Sequence, residues 1–304
     1  MNANIRQLIL ASIAGVATCA LLGGCAELSK GVAQIGVATG TLTPEQGKSI
    51  EKTGEAFGKA MEQITPEQEY YVGRAVGATI LNQYKPFPNE AATDYINLVG
   101  QTLAAASDRP ETFKGYHFLI MDTDEINAFA APGGFIFVSR GMLKLCRNED
   151  ELAAVLAHEV GHVQLKHAIG AIGNSRWTGA FTILTAEAGK NLGGQALKDL
   201  TQAFEGSISD ITKKLVTSGY GRGQEREADK VAVTIMPRLG YDPRALISVL
   251  QNMSSKVKPE VGFGKTHPPP GDRIKDLQAL TKGVPPAVAP AARLARFTKA
   301  MAGV

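Results

Sequence analysis

Two histidines four residues apart flank a glutamate in His158-Glu159-Val160-Gly161-His162. In a helix each residue turns about 100°, so the two rings would stand about 40° apart on one face and offer nitrogens to a single ion. Zinc binds imidazole nitrogens at about 2.0–2.1 Å, and a catalytic site leaves one position to water, whose pKa falls from about 15.7 to about 7 on the metal. Glu159, beside the first histidine, is then placed to act as general base and to pass the proton to a leaving amine. The pattern predicts metal-assisted peptide hydrolysis. Its competitor is a chance match in which the histidines merely cap or pack.

A tetrahedral site needs a third protein ligand. Downstream, Gly221-Arg222-Gly223-Gln224-Glu225-Arg226-Glu227-Ala228-Asp229 opens a second helical stretch in which Glu225 and Asp229 share a face. Glu225 is the expected third ligand. Asp229 is the expected acceptor for the free N–H of a ligand histidine, a contact that fixes tautomer and ring orientation. Glu227, about 200° round from Glu225, should point elsewhere. His167, about 140° round from His162 if the first helix continues, is excluded as a ligand. The plainer reading of 222–229 is a charged, solvated helix start.

These residues need elements to hold them. Asn148, with Glu151 three residues on, reads as a capping-box start, and Leu152, Val155, Leu156, Val160 and Val163 recur at helical spacing. Helices are predicted from Thr65 through about Tyr84 and from Glu90 to Ala106, strands at Tyr116–Met121 and Gly134–Ser139, and a turn at Ala131-Pro132-Gly133-Gly134. Leu197, Leu200, Phe204, Ile208, Ile211 and Leu215 follow helical spacing up to Gly219 as a C-terminal cap; this helix either packs into the core or forms a lid over the cleft. His117 sits in a strand pattern and reads as packed or exposed rather than catalytic.

The motif set resembles the family of the HtpX and CAAX prenyl proteases, zinc metalloendopeptidases of the gluzincin group. The likeness runs from about Thr65 to Leu280 and rests on His158-Glu159-x-x-His162, Glu225-x-x-Ala228-Asp229, Asn127-Ala128-Phe129-Ala130-Ala131-Pro132-Gly133-Gly134 and Thr266-His267-Pro268-Pro269, in the family's order. It implies an α+β, mainly helical, zincin-like domain with a small β-sheet over the zinc helix and one Zn2+ per chain. It implies His158, His162 and Glu225 as ligands and Glu159 as catalytic base. It suggests that Asn127 and Ala128 contact substrate backbone, by strand pairing that carries little sequence preference. It also suggests roles for His267 and Arg273: either could stabilise the oxyanion, or His267 could fill zinc's open position and hold the enzyme latent. A structural His-Pro turn is the plainer reading of His267.

Arg6 and the apolar run Leu8–Leu22 read as a secretory signal, and Leu22-Gly23-Gly24-Cys25 resembles a bacterial lipobox. The expected organisation is a signal peptide at 1–24, a tether lipidated at Cys25 with an amphipathic helix at 25–64, the metallopeptidase domain at 65–283, and a flexible Pro/Ala-rich basic tail at 284–304 that includes a short helix. Thr43-Pro44-Glu45-Gln46 and Thr65-Pro66-Glu67-Gln68 each read as a helix start. Ala26 after the lipobox favours the outer membrane, facing the periplasm. Of three cysteines, Cys19 leaves with the signal and Cys25 is acylated, so Cys146 stands alone as a small buried residue. Residues 177–188 fall short of the ~20 apolar residues that a span requires. A net charge of +3 with no basic stripe gives no support for nucleic-acid binding. The predicted partners are unfolded or misassembled envelope proteins, the membrane through the lipid, and the envelope assembly machinery. A chaperone-like assembly factor using the same cleft without proteolysis is the alternative.

Overall fold

The computed structural model describes residues 33–40, 42–48, 64–171, 205–254, 256 and 263–304. The expected signal peptide, Cys25, most of the amphipathic tether, the 177–188 stretch and the first part of the 197–215 helix lie outside the described residues. The chain divides into two compact units, one comprising 1–65 with 174–191 and the other 66–173 with 192–304. Within the first, short helices occupy 33–38 and 44–48. The second of these opens on a reciprocal capping box: Thr43 N–H donates to Gln46 Oε1 at 2.9 Å and Gln46 N–H to Thr43 Oγ1 at 3.2 Å.

The second unit begins with α1 (Pro66–Gln83) and α2 (Glu90–Ala105), the latter capped by Asn89, whose side chain accepts from Ala92 N–H. Strands β1 (His117–Met121), β2 (Ala128–Ala131) and β3 (Phe135–Ser139) form a sheet in the order β1-β3-β2, with β1 parallel and β2 antiparallel to β3. β2 is a strand the sequence pattern did not single out. Its residues, Ala-Phe-Ala-Ala, carry neither β-branching nor polar alternation, and it owes its extended form to pairing with β3.

Ser139 N–H donates to Asn127 O at 3.0 Å. Hydrogen-bonded and non-bonded pairs alternate along an antiparallel ladder, so the main-chain groups of Ala128 and Ala130 point away from β3 to the open edge of the sheet. Ser139 also caps α3 (Arg140–Leu145), accepting from Met142 N–H.

Next comes α4 (Glu149–Gln164), buried along every face from Glu149 to Val163. Asn148 caps it as expected, accepting from Glu151 N–H at 2.9 Å, but the reciprocal bond of the box reaches Arg147 N–H rather than Asn148. The three acidic residues of its first turn, favoured there by the helix dipole, each have charged partners: Glu149 pairs with Arg296, Asp150 with Arg293 and Glu151 with Arg147. β2, α2 and two later helices, α6 (Arg222–Arg238) and α7 (Ala245–Ser254), pack around α4.

Before α6 comes helix α5 (205–213), which widens into a π turn at Lys214–Ser218; Ile211 and Leu215 on it are buried. It ends at Gly219, as the spacing predicted, with φ +67° and its N–H on Lys214 O at 2.8 Å. Glycine is required there. A β-carbon would stand 1.9 Å from Thr266 O, where the chain end of α5 meets α8 (Phe263–Thr266).

The chain closes with α9 (Pro270–Leu280) and α10 (Ala291–Ala300). Residues 284–304, read from sequence as a flexible tail with a short helix, hold α10 firmly: Phe297 joins the apolar core, and Arg293 and Arg296 engage the start of α4. Two arginines one turn apart find buried carboxylates, a match invisible without the three-dimensional placement of Glu149 and Asp150. Among the described residues, no helix is long and apolar enough to cross a membrane.

Candidate metal centre

One turn apart on the buried face of α4, His158 and His162 bring their Nε2 atoms to 3.1 Å of each other. The N-terminus of α6 crosses close by because Gly161 has no side chain: a β-carbon there would lie 3.0 Å from both Cα and O of Ala228. That crossing carries Glu225 over the two rings. Its Oε2 is 3.5 Å from His158 Nε2 and its Oε1 is 3.6 Å from His162 Nε2. From the turn after α8, His267 brings its Nε2 to 3.7 Å from Glu225 Oε1. The donor atoms of His158, His162, Glu225 and His267 all lie within 4.8 Å of one another, and all four residues are buried.

This group fits a divalent cation. Ligands about 2.0–2.1 Å from a tetrahedral ion stand about 3.3 Å apart, close to the separations here. Both Glu225 carboxylate oxygens and His267 Nε2 are buried without a hydrogen-bond partner, a costly arrangement that a metal would relieve. Glu159 Oε1 is likewise buried and unpartnered.

The electrostatics leave two of the three histidines as free donors. Burial holds His162 far below the usual imidazole range and pushes His267 down to about 3, so both keep a free lone pair. Burial and Arg273 would lower His158 as well, but its hydrogen bonds to Asp229 and Glu225 prevail and raise it to about 9. Burial pushes the Glu159 carboxyl up to about 7, against the pull of His158 and with the repulsion of Glu225. A carboxylate poised near neutrality is a competent proton acceptor.

Behind His158, Asp229 Oδ1 lies 2.9 Å from Nδ1. Arg273 grips the same carboxylate with both Nε (2.9 Å) and Nη2 (2.6 Å), and its Nη1 stands 3.2 Å from Glu225 Oε2. The guanidinium thus faces the carboxylates of Asp229 and Glu225. His267 stacks on Phe263 at 3.9 Å between ring centres and contacts Thr266 Oγ1 through Nδ1 at 3.0 Å.

Asn127 and Ala128 lie at the edge of the sheet above α4, and both are buried. Asn127 Oδ1 accepts from Ala128 N–H at 2.9 Å and from Thr266 Oγ1 at 3.2 Å, linking the edge strand to the His267 turn. Phe263 N–H occupies Ile126 O at 2.8 Å, and Tyr220 OH reaches Ala130 O at 3.5 Å. His117 is exposed and stacks on Phe135.

The sequence pattern missed three neighbours of the site. Tyr220 stacks on His162 with ring centres 4.2 Å apart, His167 Nδ1 lies 2.8 Å from His162 Nδ1, and Glu227 meets His167 Nε2 at 3.1 Å. Spacing set His167 aside as a ligand on the assumption of a helix continuing past Gln164, and Glu227 because it lies about 200° from Glu225 on its own helix. Neither joins the donor set, but the two meet each other beside His162. For Tyr220, just before α6, no local signal exists.

Fold and site together define an α+β, mainly helical domain of the zincin type, with a small sheet over a helix that bears His-Glu-x-x-His and an acidic residue supplied by a second helix. The chain belongs to peptidase family M48, whose model matches residues 90–281. It is similar to the beta-barrel assembly-enhancing protease of Yersinia pestis, 30% identical over 250 residues that cover 78% of this chain and 46% of that protein. The protein of the same name from Escherichia coli K12 is 28% identical over 258 residues, 81% of this chain and 48% of the relative. The mitochondrial metalloendopeptidase OMA1 of Schizosaccharomyces pombe is 30% identical over 205 residues, 66% and 55% of the two chains. The chain spans about half the length of the curated relatives it matches.

Proposed function

We propose that this chain is a zinc-dependent endopeptidase that hydrolyses peptide bonds of unfolded or misassembled cell-envelope proteins. The observation that carries the reading is the buried donor set His158, His162 and Glu225, with Glu159 unpartnered beside it. A zinc ion bound there supplies a Lewis acid that polarises the scissile carbonyl and lowers the pKa of water. Glu159 takes the proton from the attacking water and passes it to the leaving amine. Asp229, clamped by Arg273, holds His158 in the tautomer that presents Nε2. Substrate pairs in extended form with the outward main-chain groups of Ala128 and Ala130, helped by Asn127.

His267 completes the donor set from a turn that also covers the sheet edge, which favours the latent reading over transition-state stabilisation. In that state the resting enzyme keeps both its open metal position and its substrate edge occupied, and substrate must displace the His267 turn. The names of the bacterial relatives support an envelope substrate class and a link to β-barrel assembly. Lipidation at Cys25 and an outer-membrane location facing the periplasm belong to this proposal.

The test compares zinc content and cleavage of an unfolded protein for wild type, Glu159→Gln, Glu225→Ala and His267→Ala. The reading requires about one zinc per chain in wild type. Glu159→Gln should keep zinc and lose cleavage, Glu225→Ala should lose affinity, and His267→Ala should cleave faster than wild type. Wild type that holds no zinc after remetallation sinks the reading. A Glu159→Gln chain that fully rescues a deletion strain would favour the assembly-factor alternative.

A further inference from the structure

Each histidine of α4 has two ring nitrogens, and the site uses only Nε2 of each. His158 Nδ1 is held by Asp229. His162 Nδ1 faces another histidine instead: His167 Nδ1 lies 2.8 Å away, and Glu227 Oε2 lies 3.1 Å from His167 Nε2. We propose that His167 and Glu227 are positioning residues for His162, a two-link relay that fixes its tautomer and ring plane for the metal. The inference rests on the metal-site reading above.

With His167 a neutral imidazole, the proton assignment along this chain follows step by step. An ionised carboxylate can only accept, so His167 Nε2 carries the hydrogen that meets Glu227. His167 Nδ1 then offers a lone pair, and His162 Nδ1 must supply the N–H between the two rings. That leaves the lone pair of His162 on Nε2, directed at Glu225 and His158. Both histidines are buried, whereas the Glu227 side chain is 50% exposed, so the relay runs from the site to the surface.

The backbone is built to bring His167 there. α4 ends at Gln164, and Lys166 adopts φ +54°, a left-handed conformation that a non-glycine residue disfavours. His167 N–H then donates to His162 O at 3.0 Å, across five residues rather than four. This wide turn swings the His167 ring back beneath His162, where a continued helix would have carried it about 140° away. Tyr220 stacks on the face of His162, and its ring centre is 5.7 Å from that of His167. Histidine ligands of zinc generally need an outer acceptor, whose loss weakens metal binding about 10–100-fold.

The test measures zinc affinity of the full chain by competition with a chromogenic chelator, with circular dichroism and thermal unfolding of the metal-free protein as controls. His167→Ala should bind zinc about 10–100-fold more weakly than wild type. His167→Asn, whose amide oxygen can take the place of Nδ1 as acceptor, should recover most of that loss, as a packing role would not predict. Glu227→Ala should weaken binding in the same direction by a smaller factor. An asparagine variant as weak as the alanine one, or both alanine variants within about twofold of wild type, overturns the inference. If His167→Ala damages the metal-free fold, Glu227→Ala decides, because its side chain is half exposed and touches no ligand. A wild-type chain without zinc would instead overturn the metallopeptidase reading, and the relay with it.

Discussion

At the residue scale, the consequences follow from taking several ionisable groups out of water at one point. His158 is raised to about 9 although burial and Arg273 oppose it, because its hydrogen bonds to Asp229 and Glu225 prevail. A proton and a divalent cation therefore compete for His158. Below that value, metal binding must release this proton, so apparent zinc affinity should rise with pH by up to about tenfold per unit. Titrating the dissociation constant between pH 6 and 8 checks the slope, and a flat profile would contradict the assignment. Glu159, pushed up to about 7 by burial, must be ionised to accept a proton. Activity of the metal-loaded chain should fall as pH drops, along a limb set at or below about 7, since a bound cation favours the carboxylate. Removing Asp229 would leave the Arg273 charge buried and His158 without its acceptor. Asp229→Ala should cost about 3–5 kcal/mol of stability, measured by urea unfolding of the metal-free chain.

At the element scale, α4 is held at both ends by charge contacts that lie outside the motif. At its start, Glu149 accepts from Tyr95, Tyr241 and Arg296, and Asp150 accepts from Arg293. At its end, Arg109 binds Val163 O and the buried carboxylate of Glu69, which also takes Gly133 N–H from the turn before β3. The ligand helix is thus tied to α10 at one end and to α1 and the sheet at the other. Deleting α10 should destabilise the fold by about 3–5 kcal/mol at neutral pH, because two buried carboxylates lose their cations. Burial alone would raise the Glu149 carboxyl, yet hydrogen bonds from Arg296, Tyr95 and Tyr241 hold it below its ordinary 4.5. A depressed folded value stabilises above the unfolded one and is lost as pH falls through it. The stability gap between full and truncated chains should therefore narrow below about pH 4. Melts at pH 7 and pH 3.5 would show it.

At the scale of the whole molecule, the site ties elements that are far apart in sequence into one cooperative unit. A metal that binds only the folded form stabilises it by RT ln(1 + [L]/Kd), about 4 kcal/mol at a thousandfold excess over Kd. Chelation should lower the melting temperature, and His267→Ala should reduce that shift by removing one donor. The same variant should make the chain more open to proteolysis at the 263–267 turn, because the His267 turn also covers the sheet edge through Phe263, Thr266 and Tyr220. Equal cleavage of wild type and variant by an added protease would argue that the edge stays shut for another reason.

The family, the mainly helical fold and the helix that carries two donors were determined by the sequence itself, because four-residue spacing, Asn148 as a cap and an apolar stripe are local properties of a chain. The same local logic placed α2, strands β1 and β3 and the end of α5 at Gly219. What lay beyond it depended on contacts between distant segments. β2 exists as a strand only through β3, and α10 docks through Phe297 in the core and through Arg293 and Arg296 on Asp150 and Glu149. Arg273 faces Asp229 and Glu225 because α9 packs against α6, and His167 turns back to His162 because the helix breaks at Lys166. Periodicity assigns a direction to each side chain only while the helix continues. Once the backbone leaves that repeat, only the tertiary structure decides which group a buried charge or ring nitrogen will meet.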